Sequence, residues 1–171
     1  MITSKPVTLR EYRANDTSLL QQLRNDISTQ LDLQSHPKPN TESSIINWVN
    51  SFASSLDSLL FVVADSETDR AVGFIQLKNI NHLSHHACLG LAVSRAYRGC
   101  GYGSTALKLC ENYAHSILGI NMIYLYVLKS NTKAMRLYEK MDYDKVGTIK
   151  SYYKIDGCFF DSVLMQKLLA T

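Results

Sequence analysis

Apolar and polar positions along the chain change period repeatedly, from two in short runs to about 3.6 in four longer ones. Val7-Thr8-Leu9-Arg10-Glu11 predicts a first short strand. Asn15-Asp16-Thr17 is a helix-start cluster, and Leu19, Leu20 and Leu23 give that helix an apolar stripe. The stretch from Ser35 to Asn40 holds Pro37 and Pro39 and predicts a loop, because each proline removes a donor and restricts its predecessor. Thr41 then caps a second helix with Ile45, Val49, Phe52 and Leu56 on one face. Leu59 to Ala64 is nearly continuous apolar sequence, as in a strand buried on both faces. The polar turn Asp65 to Arg70 joins it to a second strand, Ala71 to Ile80.

Ala87 to Val93 predicts a further strand, followed by a loop from Ser94 to Cys100. From Gly103 the spacing turns helical through Ala106, Leu107, Cys110, Tyr113, Ala114 and Ile117. Met122 to Leu128 is a strand with Tyr124 and Tyr126 on one face. Asn131 caps a short helix carrying Ala134, Met135, Leu137 and Tyr138. Two last strands, Asp144 to Ile155 and Phe159 to Lys167, meet at the turn Ile155-Asp156-Gly157. The order β-α-α-β-β-β-α-β-α-β-β predicts a mixed α+β sheet with helices on its faces. At 171 residues, one domain over 1–171 is expected.

Composition narrows the function classes. Eighteen Lys and Arg against fifteen Asp and Glu leave +3, which suits an anionic ligand but not nucleic acid. Cys88, Cys100, Cys110 and Cys158 form no C-x-x-C pair and read as reduced thiols of a cytoplasmic protein, with no metal. The longest uncharged run, Asn112 to Leu128, has seventeen residues and changes period at Gly119, so no membrane segment is expected.

Three of the eight glycines fall within five residues, at Gly99, Gly101 and Gly103, between an apolar strand and a helix. Such a loop lets successive N–H groups converge while the helix terminus adds partial positive charge, so it cradles diphosphate. A bare glycine turn is the plain alternative. Gly103-Ser104-Thr105 lacks the lysine of a P-loop. A Rossmann fingerprint is nominally present as Gly101-x-Gly103-x-x-Ala106, but the next strand ends Val127-Leu128-Lys129 where an acid is expected. The pyrophosphate loop of acyl-CoA-dependent N-acyltransferases, Gln/Arg-x-x-Gly-x-Gly/Ala, fits Arg98-x-x-Gly101-x-Gly103 at each fixed position.

A second signature follows about thirty residues on: Asn131-x-x-Ala134-x-x-Leu137-Tyr138-Glu139-Lys140-Met141-Asp142-Tyr143. With both, and with the opening Val7-Thr8-Leu9-Arg10, nearly the whole chain resembles the GCN5-related N-acetyltransferases. More narrowly it is similar to the ribosomal-protein N-terminal and spermidine acetyltransferase branch. The resemblance implies a mixed, mostly antiparallel α+β sheet in which the strand before the loop bulges and splays from the next strand. It implies acetyl-CoA as co-substrate, with Leu91, Ala92 and Val93 offering backbone groups to the pantetheine arm and acetyl carbonyl. Arg98, Gly99, Cys100, Gly101, Tyr102, Gly103 and Ser104 would hold the pyrophosphate, and Asn131 the arm. Tyr138 would be the general acid that protonates the leaving thiolate; without the surrounding signature it would read as helix packing. Pairing of two copies through the last strands is also implied.

Two departures stand out. Cys88 occupies a position where this branch often has a glutamate that helps deprotonate the acceptor, so the general base is unassigned; His82, His85 and His86 lie just upstream. Asp142 stands where glycine is usual, and aspartate tolerates a left-handed helix end. The acceptor side, Asn25 to Ser58 with the last hairpin, leans acidic through Asp26, Asp32, Glu42 and Asp57 against Lys38. Trp48, Tyr152 and Tyr153 suit either packing or a ligand wall. A small primary amine, an amino sugar or a polyamine, is the expected acceptor. A protein amino terminus and a non-catalytic acyl-CoA-binding module are the alternatives.

Overall fold

Residues 59–93 run as three consecutive antiparallel strands, β3 (Leu59–Asp65), β4 (Ala71–Asn81) and β5 (His86–Val93), and these form the centre of the sheet. The structure is a computed structural model and describes residues 1–35 and 38–169. Before the centre lie β1 (Ile2–Ser4), β2 (Val7–Arg10), α1 (Thr17–Asn25), α2 (Ile27–Asp32) and α3 (Glu42–Ala53). After it come α4 (Tyr102–Ser116), β6 (Met122–Leu128), α5 (Thr132–Lys140), β7 (Asp144–Ile155) and β8 (Cys158–Leu168). Among the described residues the strands form one eight-stranded sheet in the order β1-β2-β3-β4-β5-β6-β8-β7. Every neighbouring pair is antiparallel except β5 with β6.

Alternation along β4 decides what each face carries. Ile75 and Leu77 turn to a core with Leu89, Ile123 and Leu125, covered by Ala106, Leu107, Cys110 and Ala114 of α4. Phe74 and Ala92 turn the other way, against Leu20 and Leu23 of α1 and Ile45 and Val49 of α3. Helices therefore lie on both faces, as the element order predicts. Thr41 caps α3 through its hydroxyl, which accepts from the Ser44 N–H at 3.2 Å. The buried Arg10 guanidinium donates to both Asp16 oxygens, at 2.7 and 2.9 Å, and its Nε to Asp69 at 2.8 Å. That fork fixes the start of α1 against β2.

Several details differ from the sequence reading. α3 ends at Ala53, so Leu56 lies beyond the apolar face and is exposed. Ile117 falls past the end of α4 and is likewise exposed. β1 and α2 carry too few residues to set up a visible period. Ser35 and residues 38–40 form no helix or strand, and Pro37 lies outside the described residues.

Candidate active site

β5 and β6 pair over three positions only, His86↔Met122, Ala87↔Ile123 and Cys88↔Tyr124. Beyond Cys88 the strands part, while β6 stays paired to β8 along its whole length. The expected bulge in β5 is absent from this stretch: the register with β4 runs unbroken from Lys78↔Cys88 to Gly73↔Val93, and shifts only between Lys78 and Asn81. The slot comes from β6 following β8 away from β5. A cavity of about 850 Å³ fills it and runs from the glycine loop to Tyr138 and Tyr152.

The Ser94 N–H donates to Val72 at 2.8 Å, so alternate residues of β5 address β4. Ala92 is one of these: a Cβ on Gly73 would stand 2.2 Å from its carbonyl oxygen. The backbone groups of Ala92 thus serve the sheet, although the residue lines the cavity, and those of Leu91 and Val93 turn to the slot. The Val93 carbonyl accepts from Arg98 Nε at 2.9 Å, which folds the Arg98 side chain over the end of β5.

At the far end Gly101 caps α4 with φ +85, and Gly99 has φ +82. An added Cβ at either would meet nothing within 4 Å, so both flank open space. Arg98, Gly99, Gly101, Gly103 and Ser104 all line the cavity, together with the first turn of α4 and its unpaired N–H groups. Lys133, Arg136 and Lys140, three and four residues apart on α5, line it too. This basic, glycine-walled end fits the phosphates of CoA.

Two residues expected in the cradle turn their side chains away from it. Cys100 is exposed, its Sγ 3.8 Å from the Arg98 carbonyl. The Tyr102 side chain turns away to Asp65, its hydroxyl donating at 2.5 Å. That bond pushes the Tyr102 phenol up to about 12 and holds the Asp65 carboxyl down to about 2. Only the Tyr102 backbone remains near the loop.

Tyr138 lines the cavity, 8% exposed, with its ring 5.6 Å from that of Tyr143. Burial raises its pKa, and the nearby Cys88 and Asp32 raise it further, so the phenol keeps its proton. Asn131 Oδ1 caps α5 by accepting from the Ala134 N–H at 3.1 Å, and its Nδ2 donates to Asp32 Oδ1 at 2.9 Å. Asp142 has φ +64, the left-handed helix end that aspartate accommodates.

The acceptor side is less acidic than its sequence. Asp26 is spent capping α2 and pairing Arg95, and Asp57 accepts from Ser55. Among the described lining residues Asp32 is the only carboxylate. Tyr152 stacks on Tyr126 at 5.4 Å and forms a wall of the cavity. Trp48 packs edge-on to Phe52 and Phe74 beneath Arg24, and the Tyr153 hydroxyl donates to the Ser35 carbonyl. No histidine lines the cavity among the described residues: His82 Nε2 meets the Leu56 carbonyl, His85 Nδ1 the Gly119 carbonyl, and His86 packs on Tyr124. Among the described residues no cluster of three His, Cys, Asp or Glu stands ready for a metal ion, and no helix is long and apolar enough to cross a membrane.

Sequence reasoning named Asp32 only as one of four acceptor-side acids, and missed Gln76, Lys78 and the basic stripe of α5. The stripe's spacing was visible in the sequence; Asp26 three residues before Thr29 was the signal for α2.

The fold and slot define an N-acetyltransferase architecture. The model of the Acetyltransferase (GNAT) family matches residues 20–143, and the chain belongs to that family. It is 29% identical over 103 residues to spermidine N(1)-acetyltransferase of Escherichia coli strain K12, a match covering 60% of this chain and 55% of that enzyme. The matched part thus spans about half of that relative's length. It is 26% identical over 132 residues to the [ribosomal protein uS5]-alanine N-acetyltransferase of the same strain, covering 77% and 68%. The crystal structure of spermidine N-acetyltransferase from Vibrio cholerae in complex with CoA and spermine superposes with a TM-score of 0.89 over 97% of each chain, at 23% identity.

Proposed function

We propose that the chain is an acetyl-CoA-dependent N-acetyltransferase, one domain over residues 1–171, that acetylates the primary amine of a small molecule by direct attack in a ternary complex. One observation carries this reading: a single cavity joins the basic glycine cradle to the buried, protonated Tyr138 through the slot between β5 and β6. The cradle and α5 stripe would hold the phosphates, and Leu91 and Val93 would present backbone groups to the arm and acetyl carbonyl. A backbone N–H aimed at the developing oxyanion lowers the barrier of acyl transfer. Tyr138 then protonates the leaving thiolate.

The acceptor is a polyamine or an amino sugar. The stacked Tyr126 and Tyr152 form a flat wall suited to methylene chains or a sugar face, and the spermidine acetyltransferases among the relatives favour the polyamine. Acetyl-CoA consumption over polyamines, amino sugars and amino-terminal peptides tests the reading, with turnover expected for the small amines and none for the peptides. Four free thiols accord with a cytoplasmic protein. A homodimer through the edge strand β7, where Val146 and Ile149 are exposed, completes the proposal and is tested by sedimentation.

A further inference from the structure

We propose that Lys78 is the general base that takes the proton of the attacking amine. This rests on the acetyltransferase reading above and fills the role that Cys88 leaves open. Lys78 of β4 and Cys88 of β5 are directly opposed in the antiparallel register, so their side chains share one face of the sheet. Both line the cavity, and Cys88 lies close enough to Tyr138 to raise the pKa of its phenol. Lys78 and Cys88 therefore stand side by side on the wall of the cavity that Tyr138 also lines.

The other groups there do not suit the task. Burial pushes the Cys88 thiol up to about 11, which keeps it protonated at neutral pH. Asp32 also raises the Tyr138 pKa, but its Oδ1 accepts from the Asn131 amide, which holds it at the end of α2 as the partner of the α5 cap. Lys78 has no hydrogen bond or ion pair among the described residues, and its Nζ lies 5.7 Å from the Phe52 ring. The groups that face it are Arg24 of α1, Cys88 of β5 and, across a smaller cavity, Asp57 before β3; Tyr124 of β6 stands beside Cys88. Partial burial and the Arg24 guanidinium both lower its pKa, so a larger share of it is the neutral amine.

The proton count closes. Neutral Lys78 Nζ takes a proton as the acceptor nitrogen bonds the thioester carbonyl carbon and the carbonyl pair moves to oxygen. The carbonyl then re-forms, the C–S bond breaks, and the CoA thiolate takes the Tyr138 proton. Lys78 ends as ammonium and Tyr138 as phenolate, and solvent returns the proton from one to the other.

Lys78→Met and Lys78→Arg in the full chain test this, because arginine keeps the charge and cannot act as a base. Both are expected to lose about 100-fold in kcat at neutral pH. Acetyl-CoA affinity, which also reports folding, should stay within about twofold of wild type in both. The acidic limb of the wild-type kcat profile should move in both variants. Retained kcat in Lys78→Arg, or an unmoved limb, overturns the assignment. A wild-type chain that binds acetyl-CoA but acetylates no amine overturns the acetyltransferase reading itself, and this assignment with it.

Discussion

Asn131 and Asp32, ninety-nine positions apart, are joined by a hydrogen bond of 2.9 Å that ties the start of α5 to the end of α2 across the cavity. Asn131 is thereby held at both ends of its amide, one as helix cap and one as donor to a half-buried carboxylate.

That carboxylate carries a cost with a definite sign. Burial, reinforced by the charge of Asp26, raises the Asp32 pKa above its ordinary 3.8. The fold therefore favours the protonated form, and its contribution is full below the unfolded pKa and declines as pH rises through the higher folded value. Asp32→Asn should melt about 2 °C above wild type at pH 7, a gap that narrows toward pH 4. Thermal melts at the two pH values check this.

Tyr138→Phe keeps the ring contact with Tyr143 and removes only the phenolic hydroxyl. We expect kcat to fall by about 10²- to 10³-fold with acetyl-CoA affinity unchanged. Steady-state kinetics beside calorimetric titration separate the two quantities.

Gly73 sets the wall of the slot from behind. A methyl group there would stand 2.2 Å from the Ala92 carbonyl and 3.0 Å from the Val93 Cα, both backbone atoms that only a shift of β5 can clear. Gly73→Ala should cost at least about 2 kcal/mol in urea unfolding and weaken acetyl-CoA binding as Val93 and its partner Arg98 move. Gly99, which flanks open space at φ +82, offers the contrast: alanine there meets no atom, and its cost is backbone strain of about 1 kcal/mol.

Asp16 holds the buried Arg10 through two oxygens and also accepts from the Arg13 N–H. Asp16→Ala leaves that guanidinium with Asp69 alone among carboxylates and should cost about 3–5 kcal/mol. Urea unfolding measures the loss, and Arg10→Met in the same background should recover part of it.

What could be read in advance follows from how each feature is encoded. β6 matches its predicted limits because its alternation is local, and β7 because the turn Ile155-Asp156-Gly157 marks its end. Arg98, Gly101, Asn131 and Tyr138 could be picked out because their spacing along the chain is the site's own requirement. Lys78 could not, because it enters the cavity by its cross-strand place opposite Cys88 in a register that shifts near Asn81. Asp32 could be read only as one of four acceptor-side acids, since its bond to Asn131 joins positions ninety-nine apart. Ala92 shows the same limit, since strand alternation decides which of three neighbouring backbones faces the slot and the motif does not. Cys100 and Tyr102 sit inside the loop signature, yet the left-handed turns at Gly99 and Gly101 direct their side chains elsewhere.

The most direct test is a single-turnover experiment on the stoichiometric acetyl-CoA complex, followed by intact-protein and product mass spectrometry. With acetyl-CoA alone the protein mass should stay unchanged. Addition of spermidine should then release CoA thiol and N-acetylated amine in equal amounts, and Tyr138→Phe should slow that release. An acetylated protein formed without amine, or a bound acetyl-CoA that no amine discharges, would contradict direct transfer at this site.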